Sequence, residues 1–246
     1  FSGAFHAAAS NAPDANVQLA NIAAGTQHPA IARAGALELL ANYPTEMSAF
    51  TAGKALNDAD PLVRRAAIMA LQNLPAAQRL TQLAPLLNDP IRTVRMEAAN
   101  ALVDAMLGAT PEQLQAFNNA AAEYVAAQKF IADTSEGQSA LGSFYARQGK
   151  YAEAEKQMQM ALKLDPNFIP VYVNLADVYR MQGREAERDL TLRQGIKKAP
   201  QNAAVHHSLG LSLIRQKKMP EAIIELRKSA ELAPQNTRYA YVLAVA

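Results

Sequence analysis

The second half of the chain repeats its apolar and small side chains with a period of 34 residues. Three sets of positions follow this period, namely Leu141, Leu175, Leu209 and Leu243, then Gly142, Ala176, Gly210 and Ala244, and finally Pro166, Pro200 and Pro234. A fixed period of this length indicates a stack of similar units, because each unit buries its apolar face against the next.

Each 34-residue unit predicts two helices that are joined by a short turn and followed by a turn that contains proline. In the first unit we expect one helix over residues 135–149 and a second over 151–164. Small residues such as Gly142 and Ala154 let the two helices approach closely, while larger side chains fill the space beside them. Pro166 cannot continue a helix, so the second helix ends before it.

The first half of the chain repeats with a different period of 31 residues. Three sets of residues recur with this period, namely Arg33, Arg64 and Arg95, then Ala36, Ala67 and Ala98, and finally Leu40, Leu71 and Leu102. A fourth set, Pro29, Pro61 and Pro90, recurs with it approximately. Proline is tolerated in the first turn of a helix, so the three prolines predict the starts of three helices.

The 31-residue pattern resembles short HEAT-type repeats, and this resemblance implies that the arginine of each unit bonds to an aspartate or to backbone carbonyls of a neighbouring unit. Asp58, Asp60 and Asp89 are the available acidic partners, and such residues also cap helices. We therefore interpret this pattern as capping and a ladder of ion pairs, and not as a binding site.

A long helix that starts at Pro111 is predicted to join the two periods and to run to Ile131. Its partner helix is predicted over residues 91–107, and we expect no flexible linker between the two halves. Pro85 falls inside a helix predicted over 76–87, where it indicates a kink or an early stop.

Residues 237–246 match the start of a fourth 34-residue unit, without its second helix. Terminal units normally need a polar outer face, yet Tyr241, Val242 and Leu243 would lie partly uncovered. We expect this end to be frayed, or to be buried against a second copy of the chain in a homodimer. Because the chain begins with Phe1 and not with Met, we also expect it to be a processed or excised part of a longer protein.

The 34-residue pattern resembles the tetratricopeptide repeat (TPR) family, and the 31-residue pattern resembles short HEAT-type repeats. Arg188 departs from the TPR pattern because it occupies a position that is normally alanine, so we expect the helices of its unit to be splayed or shifted. The resemblance implies an all-α fold, an α-solenoid of stacked antiparallel helix pairs. The implied domains are HEAT-like repeats over residues 1–110, a junction helix over 111–134, and TPR units over 135–168, 169–202 and 203–236 with a truncated fourth from 237.

The TPR resemblance also implies a concave groove, lined by the first helix of each unit, that binds a peptide or a protein. The positions that face such a groove include Arg147, Asn174, Asp177, Arg180, Met181, His207, Leu211 and Arg215. Asn174 matches a position at which family members hold a peptide backbone. The three arginines are suited to forked hydrogen bonds with a carboxylate, and the alternative is that they are simply solvated.

One TPR ligand is not expected here. The clamp that binds the acidic C-terminal tail of chaperones needs lysine, asparagine and arginine at positions that hold other residues in this chain. Those positions carry Ser139, Ser143, Ala204 and Ser208. Because only Asn174 matches, recognition of a chaperone tail is not predicted.

Composition mainly adds exclusions. About a fifth of the residues are alanine and 6% are aromatic, which favours packed helices over sheets. The sequence has no cysteine, which excludes disulfides and thiolate metal sites. The four histidines do not have the spacing of metal ligands, and no catalytic motif is present. We expect His206 to pack between helices and His207 to face the groove. We expect no cofactor, no metal and no enzymatic activity.

Charge separates the two halves of the chain. Residues 1–134 carry 8 Lys and Arg against 11 Asp and Glu, whereas residues 135–246 carry 16 against 11. The basic residues are interleaved with glutamates and form no stripe with aromatics, so nucleic-acid binding is not expected. No apolar run approaches the ~18 residues of a transmembrane helix, so we expect no membrane insertion.

The order of HEAT-like units, junction helix and TPR units is also similar to the C-terminal region of large bacterial multihaem c-type cytochrome proteins. That resemblance includes the segment Phe5-His6-Ala7-Ala8 and implies a periplasmic location. Two functions follow: a scaffold module that binds a peptide or protein in its groove, which we favour, or a haem-free docking domain of a periplasmic redox protein. An enzyme with an unrecognised site is the third alternative.

Overall fold

The computed structural model describes residues 1–10 and 12–246. Over these residues it contains fifteen α-helices, one short 3-10 helix and no strand, so the prediction of an all-α fold is confirmed. The chain divides into two compact units, unit 1 (residues 1–127) and unit 2 (residues 128–246). Within each unit successive helices pack in pairs, as expected of an α-solenoid.

Unit 1 is built from short helices. They are α1 (Ser2–Ala9), α2 (Ala15–Ala24), α3 (Ala30–Leu40), α4 (Glu46–Ala55), α5 (Pro61–Ala70), α6 (Ala76–Leu83), a 3-10 helix (Ala84–Asn88) and α7 (Arg92–Leu102). A longer helix, α8 (Pro111–Phe130), begins in unit 1 and ends just beyond it.

Unit 2 is built from longer, more regular helix pairs. They are α9 (Ser135–Arg147), α10 (Tyr151–Leu164), α11 (Pro170–Met181), α12 (Glu185–Lys198), α13 (Ala203–Arg215), α14 (Met219–Leu232) and α15 (Thr237–Val245). In the part of the chain that the structure describes, we find no helix with both the length and the hydrophobicity needed to cross a bilayer.

The 31-residue period forms the core of unit 1. Leu40, Leu71 and Leu102 are at most 1% exposed, and the alanines at the other core positions of the period, Ala36, Ala67 and Ala98, are fully buried. Helices α3, α5 and α7, which carry these residues, contact one another in succession. The repeated alanine leaves room for adjacent helices, and the repeated leucine fills the space between them.

The prolines of the period act largely as predicted. Helix α3 begins directly after Pro29, and Pro61 is the first residue of α5. Helix α7 begins two residues after Pro90, and the Asp89 carboxylate accepts a hydrogen bond from the Ile91 backbone N–H (2.8 Å) just before it.

Two predicted helices were too long. The segment 76–87 is not one helix, because α6 ends at Leu83 and a 3-10 helix follows with Pro85 in its first turn. Proline lacks the N–H that would continue the α-helical pattern, so the early stop indicated by Pro85 is confirmed. The helix predicted over 91–107 ends at Leu102.

The predicted ladder of arginines is present in unit 1. Arg64 donates from Nε and Nη2 to the two carboxylate oxygens of Asp89, at 2.8 and 2.9 Å. Arg95 makes the same forked contact with Glu123 on α8, at 3.0 and 2.7 Å. Arg33 pairs with Asp58 in the following repeat. Each arginine therefore holds an acidic residue of the next repeat through a bidentate, charge-assisted pair.

The third guanidinium nitrogen ties each arginine to its own repeat. Nη1 of Arg64 donates to the backbone carbonyls of Asp58 (2.8 Å) and Ala59 (3.1 Å), and Nη1 of Arg95 donates to that of Asp89 (2.7 Å). Asp60 plays the other predicted part, because its carboxylate caps α5 by accepting the N–H of Leu62 (2.8 Å).

The ladder lowers the pKa of its aspartates. Burial raises the pKa of the Asp89 carboxyl, but the hydrogen bonds from Arg64 and from the Ile91 N–H outweigh it and hold that pKa below its usual value of 3.8. Asp58 follows the same pattern, because Arg33 and the Asp60 N–H bring the pKa of its carboxyl down against the effect of burial. Both carboxylates contribute stability above pH ~4, and it is lost as acid protonates them.

The 34-residue period sets how closely the helices of unit 2 approach. A Cβ at Gly142 of α9 would lie 2.7 Å from Cγ of Met158 on α10, and one at Gly210 of α13 would lie 2.7 Å from Cδ2 of Leu226 on α14. Both contacts are too close for any larger residue, so glycine is required for this spacing.

The turn between paired helices also recurs every 34 residues. Gly149, Gly183 and Lys217 occupy this turn and all have positive φ, at 75°, 72° and 62°. Glycine adopts this conformation at little cost, whereas a lysine is strained there. The third repeat therefore retains the turn without the residue that favours it.

The middle pair of unit 2, formed by α11 and α12, packs less extensively than the pairs on either side of it. That its helices are splayed or shifted remains a prediction. Ala176 of α11 stands where the flanking repeats have glycine. At Arg188 of α12 a long side chain replaces the usual alanine and is only 3% exposed. The extra volume at both positions explains the looser pair.

The last helix, α15, runs to Val245, and the expectation that it frays in solution remains a prediction. None of its residues is buried, and Tyr241 and Val245 are 68% and 66% exposed. Homodimerisation through this helix remains a prediction. The domain boundaries proposed at residues 110 and 134, and the expectation of a junction without a flexible linker, also remain predictions.

We predict that Asp89→Ala lowers the free energy of unfolding of unit 1 by about 3–5 kcal/mol, because it leaves the buried Arg64 guanidinium without its partner. Chemical denaturation followed by circular dichroism measures this. Glu97→Ala is the matched control, because Glu97 pairs at 3.4 Å with Arg65, whose side chain is 40% exposed. The guanidinium that this variant leaves unpaired is solvated, so the loss should stay below about 1 kcal/mol. Equal losses in the two variants would contradict the role of the ladder.

Candidate peptide-binding face of unit 2

The first helices of the three complete repeats form one face of unit 2. Helix α9 contacts α11, and α11 contacts α13. We call the surface formed by α9, α11 and α13 the helix-A face. Two cavities open on it, one between α9 and α11 with a volume of about 330 Å³ and one between α11 and α13 with a volume of about 460 Å³.

The first of these, the apolar cavity, is lined mainly by hydrophobic side chains. Met158, Val178 and Met181 form its apolar lining together with Tyr151. Asn174 lies at its edge, where its Nδ2 donates a long 3.4 Å hydrogen bond to Oγ of Ser143. A bond of this length is weak, so the amide can exchange it for a partner's backbone.

The second, the cation cavity, collects positive charge. Four arginines line it, namely Arg180, Arg188, Arg215 and Arg238. Asp177 is the acidic residue of its wall, and its Oδ1 accepts a hydrogen bond from Nε of Arg180 at 3.3 Å. The wall of this cavity also includes His207, Leu211 and Tyr239.

The structure brings all eight sequence-predicted groove residues onto the helix-A face, but in two groups. The apolar cavity is lined by Arg147, Asn174, Asp177 and Met181. The cation cavity is lined by Asp177, Arg180, His207, Leu211 and Arg215. Asp177 belongs to both, so the cavities adjoin. That these residues bind a partner remains a prediction.

His206 and His207 differ sharply, as their predicted roles require. Nδ1 of His206 lies 2.6 Å from a carboxylate oxygen of Glu225, and its Nε2 lies 3.1 Å from the carbonyl oxygen of Pro200. His207 is equally buried, at 6% exposed, yet neither ring nitrogen has a hydrogen-bond partner among the residues that the structure describes. Its ring stacks on Tyr239 with 4.4 Å between centroids.

Charge and burial lower the pKa of two side chains in the cation cavity. Burial lowers the pKa of the His207 imidazole below 6.5, and the nearby Arg238 lowers it further, so this histidine is neutral at pH 7. Burial also lowers the pKa of the Arg215 guanidinium, and the like charges of Arg188 and Arg180 add to the effect.

Three residues of the cation cavity were missed in the sequence. Arg188 comes from α12, the second helix of its pair, and Arg238 and Tyr239 come from α15. Only Arg188 left a signal, because a long cation at an alanine position must reach out of the helix interface. The residues of α15 carry no such signal, because Tyr239 reaches the cavity only through its stacking on His207.

Unit 1 has a cavity of about 560 Å³ between α4 and the segment around the 3-10 helix. It is lined by Phe50, Lys54, Gln82 and Pro85 among others, and it holds one charged side chain. Searching residues 1–10 and 12–246 for three clustered His, Cys, Asp or Glu side chains that could hold a metal ion yields none.

Comparison with protein families assigns both repeat types. A family of HEAT repeats matches residues 16–103 and 49–126. Tetratricopeptide repeat families match residues 135–168 and 203–236. The segment between the TPR matches, residues 169–202, is one repeat length and contains α11 and α12. No curated protein matches the sequence of the chain significantly.

Comparison with solved structures finds similarity to a TPR structure and to structures of the protein MamA. The first TPR of Spaghetti (RPAP3), bound to the HSP90 peptide SRMEEVD, is 21% identical, with 45% of this chain and 87% of that chain covered and a TM-score of 0.42. Two structures of MamA are 18% and 16% identical. These matches cover 71% and 81% of this chain and 91% and 95% of the MamA chains, with TM-scores of 0.43 and 0.42.

The family matches identify the chain as a repeat protein with HEAT repeats in unit 1 and tetratricopeptide repeats in unit 2. Proteins of this class serve as interaction modules, because stacked repeats offer extended surfaces to other proteins. The resemblance to multihaem cytochromes and the periplasmic location that it implied find no support in these comparisons.

We predict that the free energy of unfolding of the chain falls as the pH is lowered through 6.5, in part because of His207. The folded state resists protonation of this imidazole, whereas the unfolded chain takes up the proton at its ordinary pKa. Denaturation at a series of pH values should show a shallower slope for His207→Gln than for the wild-type chain. His6→Gln changes an exposed histidine and should keep the wild-type slope, and an unchanged slope in His207→Gln would be evidence against this account.

Proposed function

We propose that the chain is a non-catalytic scaffold module that binds an extended peptide or protein segment along the helix-A face of unit 2. The observation that carries this proposal is the pair of adjoining cavities that share Asp177. One cavity offers apolar walls, and the other offers charged and polar groups that lack partners. This combination suits a flexible segment with side chains of both kinds.

The groups at the face support binding of a peptide in particular. Asn174 lies at the edge of the apolar cavity and presents an amide held by one weak bond. An amide can donate to and accept from a peptide backbone at the same time. Met181, 52% exposed at the mouth of the apolar cavity, provides an adaptable surface for an apolar side chain.

HEAT repeats in unit 1 suit a supporting role. Their charged residues are used within the unit, because Arg33, Arg64 and Arg95 hold acidic residues of the next repeat. The family that the TPR units match, and a TPR structure that holds the HSP90 peptide SRMEEVD, agree with peptide binding by unit 2.

Site-specific photo-crosslinking tests this proposal. The full chain carries benzoylphenylalanine in place of Met181 or of Met160, two exposed methionines on different surfaces, and is used to select binders from a random peptide library. Met160 lies on α10 and is 39% exposed, which makes it the matched control. We expect the selected peptides to cross-link at position 181 and not at 160. Recovery of no binders, or equal labelling at both positions, would refute docking on this face.

A further inference from the structure

The cation cavity holds more positive than negative charge. Its four arginines face two nearby carboxylates, Asp177 and Glu185, and both carboxylates are already engaged. Asp177 pairs with Arg180, and Glu185 accepts from Nη1 of Arg188 at 3.3 Å. Among the residues that the structure describes, Arg215 and Arg238 form no ion pair. In the described part of the chain, two of the four guanidinium groups are therefore left without an ion-pair partner.

Buried polar groups at this cavity also lack partners. Over residues 1–10 and 12–246, Nε of Arg188 has no hydrogen-bond acceptor, although the side chain is only 3% exposed. Both ring nitrogens of His207 are in the same condition. An unpaired buried polar group is costly, so three such atoms at one cavity indicate partners supplied by a ligand.

The nature of the unpaired groups defines the ligand. Guanidinium groups only donate hydrogen bonds, and their planar fork matches the two oxygens of a carboxylate. A neutral imidazole can donate from one nitrogen, or from both once it is protonated. A ligand that carries two negative charges and several acceptor oxygens would satisfy both the charge and the hydrogen bonds.

The adjoining apolar cavity indicates what else the ligand carries. It lies between α9 and α11, whereas the cation cavity lies between α11 and α13, so the two are about one helix spacing apart, roughly 8–10 Å. An extended peptide advances about 3.3–3.6 Å per residue, so this separation corresponds to about three residues. Nucleic acid is disfavoured, because the neighbouring cavity is apolar and the excess charge is small.

We infer that the cation cavity receives two adjacent acidic side chains of a peptide segment, while an apolar side chain about three residues away enters the apolar cavity. This inference rests on the proposed function and names the class of partner. It differs from the chaperone-tail clamp, whose positions hold serine and alanine here, because the cationic groups come from α12, α13 and α15 as well as from α11.

The probes are fluorescein-labelled, alanine-based peptides that contain Leu-Ala-Ala-Glu-Glu, or the reverse order Glu-Glu-Ala-Ala-Leu. Matched peptides carry Gln-Gln in place of Glu-Glu, and a third set carries a single phosphoserine at the site of the acidic pair. Fluorescence anisotropy with the full chain measures each Kd. We expect one Glu-Glu peptide to bind at least about tenfold more tightly than its Gln-Gln counterpart. This preference should weaken when salt is raised from about 0.1 M to about 1 M.

Two variants test the residues themselves. Arg215→Gln removes an exposed guanidinium, and Arg188→Ala restores the residue that TPR repeats usually have at this position, so both should fold. Each should weaken binding of the Glu-Glu peptide by about tenfold and leave the Gln-Gln peptide unaffected. Arg227→Gln on α14 is the control, because Arg227 is an exposed arginine outside both cavities.

The outcomes separate this inference from the proposed function. Equal affinities of the Glu-Glu and Gln-Gln peptides, or no binding of either, would overturn the acidic partner, whereas cross-linking at position 181 would still support docking. Tight binding of the phosphoserine peptide alone would overturn it in favour of a phosphorylated partner. Loss of affinity in Arg227→Gln equal to that in Arg215→Gln would show that only general charge matters.

Discussion

The close approach of paired helices in unit 2 is the constraint on which the rest of its surface depends. At Gly142 and Gly210 the absence of a side chain lets the second helix of each pair come within contact of the first, and a single added carbon would lie 2.7 Å from its neighbour. This contact fixes the rotation of α9 and α13 about their axes. The outward positions of these helices, and with them the cavity walls, follow from it.

The middle repeat shows what happens when this constraint is relaxed. Ala176 replaces the glycine, the α11–α12 pair packs less extensively, and the space admits Arg188. An arginine from the second helix thereby reaches the cavity between two first helices. A departure from the repeat pattern that weakens the packing thus adds the most buried cation of the candidate site.

Much of the fold could be predicted because periodic side-chain size is a local property. In the complete repeats, the glycines, alanines and leucines of both periods are buried between helices, as the periods predict. The arginines that recur every 31 residues form the ladder. The stop at Pro85 moves a helix end by a few residues, because a residue without a backbone N–H interrupts the α-helical pattern.

The candidate site was predictable only in part. Positions on the first helices could be assigned from the repeat, but the partners of each side chain depend on contacts between distant residues. The repeat places His206 at a packing position and His207 at a groove position. It does not show that His206 is bonded at both nitrogens while His207, among the residues that the structure describes, is bonded at neither. Likewise, Tyr239 and Arg238 join the site only because α15 packs beside α13 and α14.

The contrast between these two histidines permits the most direct test of the central claim, that unpaired groups of the cation cavity await an acidic ligand. Nuclear magnetic resonance of the full chain with labelled imidazoles would follow both rings as the Glu-Glu peptide is added. The account predicts that the His207 signals shift and the pKa of its imidazole rises, while the His206 signals stay in place. Unchanged His207 signals, or equal shifts at both rings, would contradict it.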